Sequence, residues 1–179
     1  MWGIKNKTMI DIEEIKRKLE DIYYSFLNND LIKKMKDIPM HRGSNCYIHS
    51  FLVAKLAIKR ALRHNKELNL EAILVSSILH DYYLYNWREN KELLNKHGSK
   101  HPKVANENAK RDFDIIKLES DIILSHMWPI NFKDFPKTTE ARIVALADKN
   151  VATIEAFTSK KYKMKRINKT MKRIASLFW

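Results

Sequence analysis

The dipeptide His80-Asp81 is the part of the sequence best suited to chemistry. It follows an apolar segment at residues 70–79, so an imidazole and a carboxylate stand together where a buried helix would end. Burying an ionised carboxylate without a partner costs several kcal/mol, so Asp81 is expected to face a cation, a hydrogen-bond network or solvent. Because both side chains are common metal ligands, the pair directs attention to further ligands elsewhere in the chain.

Four other potential ligands lie in or beside segments with helical apolar periodicity: His49, His101, His126 and Asp148. His49 shares a helix face with Leu52 and Leu56, and Asp148 falls in the middle of an apolar stripe. Alone, such a histidine could be a hydrogen-bonded core residue, and such an aspartate could be salt-bridged. Together, these nitrogen and oxygen groups form a set that suits borderline first-row metals.

The order His49, His80-Asp81, His101, His126, Asp148 resembles that of the HD-domain superfamily of metal-dependent phosphohydrolases. The resemblance covers about residues 40–157 and implies an all-α helical bundle. It also implies two divalent transition-metal ions, with Fe or Mn expected ahead of Zn, Co or Ni. One ion would be held by His49, His80, Asp81 and Asp148, and the other by Asp81, His101 and His126, with Asp81 as the bridge.

A site of this kind suits phosphoester hydrolysis. Divalent ions lower the pKa of water, supply a nucleophile at neutral pH and stabilise the oxygens of an in-line displacement at phosphorus. The predicted activity is that of a phosphomonoesterase or phosphodiesterase acting on a nucleotide or another small phosphoester. The Gly-Tyr-Pro signature of HD-type cyclic-dinucleotide hydrolases is absent, and Met127 rather than an aspartate follows His126, which argues against that substrate.

Further residues are candidates for contact with the substrate. Arg42, seven residues before His49, and Lys149 are predicted to bind phosphate oxygens, since arginine in particular suits bidentate phosphate recognition. His97 and His41 are candidate proton donors to the leaving oxygen. The two cations could instead be ordinary surface residues, and either histidine could only hydrogen-bond a group behind a metal ligand.

Two other functions fit the same residues. An HD-type di-iron oxygenase would use the same ligand order, and aerobic and anaerobic assays with metal analysis separate it from a hydrolase. A non-catalytic module with a structural metal would instead bind nucleic acid through a basic C-terminal helix, which salt-dependent binding tests.

Composition favours a single all-α domain. The chain of 179 residues is 45% hydrophobic, has only three glycines and four prolines, and is rich in long segments of Leu, Ile, Ala, Lys and Glu. The single cysteine, Cys46, excludes an internal disulfide and a thiolate zinc cluster. No signal-peptide core and no apolar run near the length of about 18 residues needed for a membrane span is present, which predicts a cytoplasmic location.

The formal net charge of +13 is concentrated near the C-terminus. Residues 160–173 contain eight Lys or Arg and no acidic residue, leaving about +5 for the rest of the chain. Apolar residues recur there at helical spacing, so one face is predicted to pack on the domain while the lysines face water. The same segment is a candidate for weak polyanion binding.

The elements that must position the ligands are predicted from periodicity and helix breakers. Helices are predicted at residues 11–27, 31–35, 70–81, 117–127 and 138–157, and a further helix is predicted to be capped by Ser44 or Asn45 and to reach about residue 63. A break at residues 97–102 followed by a helix starting at Pro102 places His101 at a helix entrance. The predicted organisation is N-terminal helices at residues 1–39, a metal-binding core at 40–157 and a basic helix at 158–179.

Overall fold

The described part of the chain is entirely helical. The computed structural model describes residues 4–40, 43–89 and 91–157, with the backbone alone for residues 4–12 and 91–96. These residues form seven α-helices and one short 3-10 helix without a β-strand, which confirms the predicted all-α class. The basic helix predicted at residues 158–179 lies outside this part of the chain. None of the described helices combines the length and apolar character needed to cross a membrane.

The helices follow one another in the order α1 (Ile4–Asn28), α2 (Asp30–Lys33), the 3-10 helix (Lys34–Asp37), α3 (Cys46–Ala61), α4 (Leu70–Leu79), α5 (Lys91–Phe113), α6 (Lys117–Ser125) and α7 (Thr139–Phe157). Helix α3 packs against α4 and α7, while α6 contacts α4, α5 and α7. Their apolar faces form the core, in which Phe51, Leu79 and Ile122 are fully buried. This packing brings residues from five helices close together despite their separation in sequence.

Asparagine caps determine where two of these helices begin. Asn45 Oδ1 accepts the N–H of Ile48 at 2.9 Å at the start of α3. Asn69 Oδ1 accepts the N–H of Ala72 at 2.9 Å at the start of α4. Such a cap contributes about 1 kcal/mol to stability. Because the cap sets the helix register, it also sets the direction in which His49, in the first turns of α3, projects.

Helix α5 contradicts one prediction from the sequence. The predicted break at residues 97–102 is wrong, because Pro102 lies inside α5 and His101 is therefore within a helix rather than at its entrance. A proline inside a helix removes one hydrogen bond and crowds the preceding turn. Burial of Ala105 and Ala109 in the next two turns, and packing of α5 on α6, outweigh this local cost.

Candidate metal centre

Six buried side chains converge where α3 and α7 meet the ends of α4 and α6 and the middle of α5. They are His49, His80, Asp81, His101, His126 and Asp148, and none is more than 8% exposed. They form three overlapping groups in which the potential ligand atoms lie within 4.8 Å of one another. The structure therefore brings together all six of the residues selected from the sequence.

Helix ends place three of the six side chains. Helix α4 ends at Leu79, two residues before its predicted end, and His80 is its C-cap residue. Asp81 lies in the turn that follows, and His126 is the C-cap residue of α6. The backbone of His80 is still helical, with φ −57° and ψ −30°, and the chain turns away from the helix after it. His80 and Asp81 both reach the same centre from this turn.

Three of the histidines donate a hydrogen bond from Nδ1 to a main-chain carbonyl. The donor–acceptor distances are 2.8 Å for His80 to Ser77, 2.8 Å for His101 to His97, and 2.7 Å for His126 to Ile123. A carbonyl oxygen can only accept, so the proton of each neutral ring is on Nδ1 and the lone pair is on Nε2. Histidines that bind metals are held in this way by an acceptor behind the ring.

The two carboxylate oxygens of Asp81 face different pairs of histidines. Oδ2 lies 3.2 Å from His80 Nε2 and 3.7 Å from His49 Nε2. Oδ1 lies 3.2 Å from His101 Nε2 and 3.7 Å from His126 Nε2. Asp81 is thus the residue that the two pairs share.

Asp148 lies beside one of these two pairs of histidines, His49 and His80. Its Oδ1 lies 3.0 Å from His49 Nε2 and 3.7 Å from His80 Nε2. The site consequently divides into two parts around Asp81. The first half consists of His49, His80, Asp148 and Asp81 Oδ2, and the second half consists of His101, His126 and Asp81 Oδ1.

The ligand atoms fit a bound cation. His80 Nε2 is buried and makes no hydrogen bond of acceptable geometry with the described residues, although Asp81 Oδ2 lies 3.2 Å away. His101 Nε2 and His126 Nε2 lie 2.9 Å apart although both Nδ1 atoms already donate to carbonyls. Two lone pairs this close repel each other unless a proton or a cation intervenes, and an unsatisfied buried polar atom costs about 1–3 kcal/mol. A metal ion would relieve both conditions.

The charges in the two halves differ. Burial disfavours a charged imidazole, but the carboxylates of Asp148 and Glu155 outweigh it and raise the pKa of His49 to about 9. Burial, reinforced by the neighbouring imidazoles, lowers the pKa of His126 to about 3. Burial would raise the pKa of Asp81, yet the adjacent histidines hold it well below its usual range. Burial would also lower the pKa of His80, but Asp81 and Asp148 raise it well above its usual value. At neutral pH the metal-free first half therefore holds extra protons on His49 and His80, whereas His126 in the second half is neutral.

Glu155 lies directly behind His49, and the sequence analysis does not single it out. Its Oε2 accepts the Nδ1–H of His49 at 3.0 Å, and its Oε1 accepts the hydroxyl of Ser44 at 2.6 Å. Glu155 follows Asp148 by seven residues, or about two turns of α7, so the two carboxylates occupy the same helix face. A second acid at this spacing in an apolar stripe was the signal available in the sequence.

Of the two cations predicted to bind phosphate, only Lys149 is among the described residues. Lys149 Nζ donates to the main-chain carbonyl of His126 at 2.9 Å, which ties α7 to the C-terminal end of α6. The side chain is half-buried, and burial lowers its pKa from the usual value for lysine. Arg42 and His41 lie outside the described residues. Phosphate binding by Arg42 and Lys149 stays a prediction.

His97 lies one turn before His101 on α5. Its ring stacks on that of His101 with centroids 4.6 Å apart and on that of Trp87 with centroids 5.1 Å apart. Its Nδ1 lies 3.0 Å from the hydroxyl of Tyr85. These contacts place His97 beside the second half of the site, where proton donation to a leaving oxygen stays a prediction.

An all-helical fold with four histidines and two aspartates buried at one point defines a class of metal-binding helical domains. Comparison with known families makes the assignment specific, since the HD domain family matches residues 46–152. This span is more than half of the chain and contains all six converging residues, so the chain belongs to the HD domain family, whose members are mostly metal-dependent phosphohydrolases. No curated protein and no solved structure matches the chain.

Proposed function

We propose that the protein is a metal-dependent phosphohydrolase that cleaves a nucleotide or another small phosphoester at a site for two divalent ions. The orientation of the Asp81 carboxylate is the main observation behind this proposal, because each of its oxygens faces a different pair of histidines. A carboxylate can bridge two ions, whereas an imidazole whose Nδ1 is committed to a carbonyl offers a single ligand atom. The first half would hold one ion and the second half the other.

The chemistry of the ligands favours Fe or Mn, with Zn, Co or Ni as alternatives. Imidazole and carboxylate groups suit these ions, and the only thiol, Cys46, instead approaches the main-chain carbonyl of Asp81, with Sγ 3.0 Å away. When bound, such ions lower the pKa of water and stabilise negative charge on phosphoryl oxygens. Two divalent ions and two aspartates leave a site charge of about +2, which favours an anionic substrate.

The residues of the chain hold and shield this site. Carbonyl acceptors behind His80, His101 and His126 orient the rings, and burial excludes bulk water, which strengthens the electrostatic interactions inside. We propose that Lys149 and Arg42 bind phosphate oxygens and that His97 donates a proton to the leaving oxygen. In this scheme Asp81 would contribute one carboxylate oxygen to each half of the site.

Elemental analysis of protein purified without chelator, followed by a phosphoester panel in the metal found, tests the proposal. We expect two ions per chain and hydrolysis of a phosphoester bond both with and without oxygen, with inorganic phosphate as a product of a monoester and a phosphomonoester as a product of a diester. Oxygen consumption without anaerobic turnover would identify an HD-type di-iron oxygenase instead. Stoichiometric metal without turnover on any member of the panel would leave a non-catalytic, metal-stabilised module.

We also propose weak polyanion binding by residues 160–173, which carry eight cations and no acid. Such binding releases counterions, so its affinity should fall steeply as salt increases. A chain in which these lysines are replaced by glutamine should lose most of the salt-dependent binding to single-stranded nucleic acid. Equal binding by both chains would contradict the proposal.

A further inference from the structure

The two halves of the site differ in the groups behind their histidines. In the second half, His101 and His126 donate from Nδ1 to neutral carbonyls. In the first half, His49 donates from Nδ1 to the carboxylate of Glu155 at 3.0 Å. The first half also contains Asp148, whereas among the described residues the second half has no carboxylate apart from its share of the bridge. The first half is therefore the more negative by two carboxylates.

We infer that Glu155 is a positioning residue for His49 and that it makes the two halves unequal, so that the first half binds its ion more tightly. The inference rests on the proposed site for two ions. A carboxylate behind a ligating imidazole fixes the tautomer and increases the basicity of the ligand atom. Loss of such a partner typically lowers metal affinity by about 10–100-fold.

The surroundings of Glu155 suit this role. The residue is 4% exposed and both of its side-chain oxygens have partners, His49 on Oε2 and Ser44 on Oε1. A carboxylate that is hydrogen-bonded at both oxygens has a fixed orientation, and it therefore also fixes the orientation of the His49 ring. Because Ser44 lies just before α3 and Glu155 near the end of α7, these bonds also hold the two helices in register at the site.

The same contacts could belong to a residue that only stabilises the fold, and metal affinity separates the two roles. A purely structural Glu155 would change the free energy of unfolding of the metal-free protein and leave the affinity of the folded protein for metal unchanged. A positioning residue changes the affinity of one half of the site. The readout is therefore metal binding by the folded chain, independent of turnover.

The inference is tested by titrating the full-length metal-free chain with Co²⁺ alone. Binding is monitored by calorimetry and by the absorption spectrum of the bound cobalt. Wild type is compared with Glu155→Gln and Glu155→Ala. Glu119→Gln is the matched control, because Glu119 is also buried but accepts the N–H of Ile116 at the start of α6, at the far end of that helix from His126.

We expect a tight and a weak class of site in wild type. Glu155→Gln, which can still accept the His49 Nδ1–H, should weaken the tight class by about 10-fold, and Glu155→Ala by about 100-fold, with the weak class and the Glu119 control unchanged. His101→Ala should retain only the tight class, which assigns that class to the first half. Loss of the tight class in His101→Ala would overturn the assignment.

The remaining outcomes also decide the matter. Equal Co²⁺ affinities in wild type and folded Glu155→Gln overturn the inference and leave the two-ion site intact. Failure of wild type to bind Co²⁺ stoichiometrically refutes the proposed metal site itself. Ser44→Ala, which releases only Oε1 of Glu155, provides a milder second variant if Glu155→Ala does not fold. We expect it to weaken the tight class by a smaller factor, and an unchanged tight class in both Ser44→Ala and Glu155→Gln again overturns the inference.

Discussion

The Nε2 atoms of His101 and His126 lie 2.9 Å apart, while the Nδ1 atoms of both rings donate to carbonyls of their own helices. The two rings are therefore fixed from behind by α5 and α6 and meet at their unprotonated edges. In the folded protein this contact is favourable only with a cation or an added proton at the junction. Substitution of His101 or His126 therefore provides the most direct test for a second ion.

Replacing His101 or His126 with alanine should remove about one ion per chain and leave the first half occupied. The rate of phosphoester hydrolysis should fall by at least about 100-fold, the scale on which one preorganised electrostatic stabiliser acts. Elemental analysis and phosphate release measure the two effects. His64→Ala is the matched control, because His64 is exposed. Unchanged metal content with altered substrate affinity would instead make the pair substrate contacts beside a single ion.

Asp81→Ala should remove both ions, because one oxygen of Asp81 faces each half of the site. Asp148→Ala should weaken only the first half, since Asp148 lies near His49 and His80. Metal content and hydrolysis should therefore be lost together in Asp81→Ala. The exposed Asp121, paired with Lys117, supplies the control Asp121→Ala. Full occupancy in Asp81→Ala would refute the bridging role.

Metal binding should release protons at neutral pH. The pKa of His49 in the metal-free protein is raised to about 9, so at pH 7 the imidazole carries a proton that the ion must displace. The pKa of His80 in the same half is also raised well above its usual value, so the apparent affinity for the first half should rise with pH throughout the range from pH 6 to about 9. His126, with a pKa lowered to about 3, has no extra proton to release at pH 7. Calorimetry in buffers of different ionisation enthalpy counts the protons, and a pH-independent affinity between pH 6 and 9 would contradict the prediction.

Lys149→Met should lower the free energy of unfolding by about 1.5–3 kcal/mol, because it removes a charged donor from the carbonyl of His126 at the end of α6. Metal content should be retained, since Lys149 contacts the main chain and not a ligand atom. Urea unfolding of the metal-free protein measures the change. Arg142→Met is a suitable control, because Arg142 is an exposed cation on the same helix that also donates to a carbonyl. A raised KM in Lys149→Met without loss of stability would show that its main role is phosphate binding.

The sequence by itself determined the all-α class and the six residues that meet at the site. Helical periodicity is a local property, and the order of histidines and aspartates along the chain can be matched to a family without knowing any distance. The fold class and the family resemblance could therefore be predicted without knowledge of the tertiary structure. The domain division, Arg42 and the basic segment at residues 158–179 are predictions that the described residues do not test.

Only the tertiary structure decided how these residues are arranged. The sequence cannot show which oxygen of Asp81 faces which histidines, nor that Glu155 supports His49 across 106 positions of the chain. Such contacts depend on how α3, α4, α6 and α7 pack against one another. The continuity of α5 through Pro102 has the same origin, because a local breaking signal worth a few kcal/mol is outweighed by the packing of buried residues such as Ala105 and Ala109 against the rest of the domain.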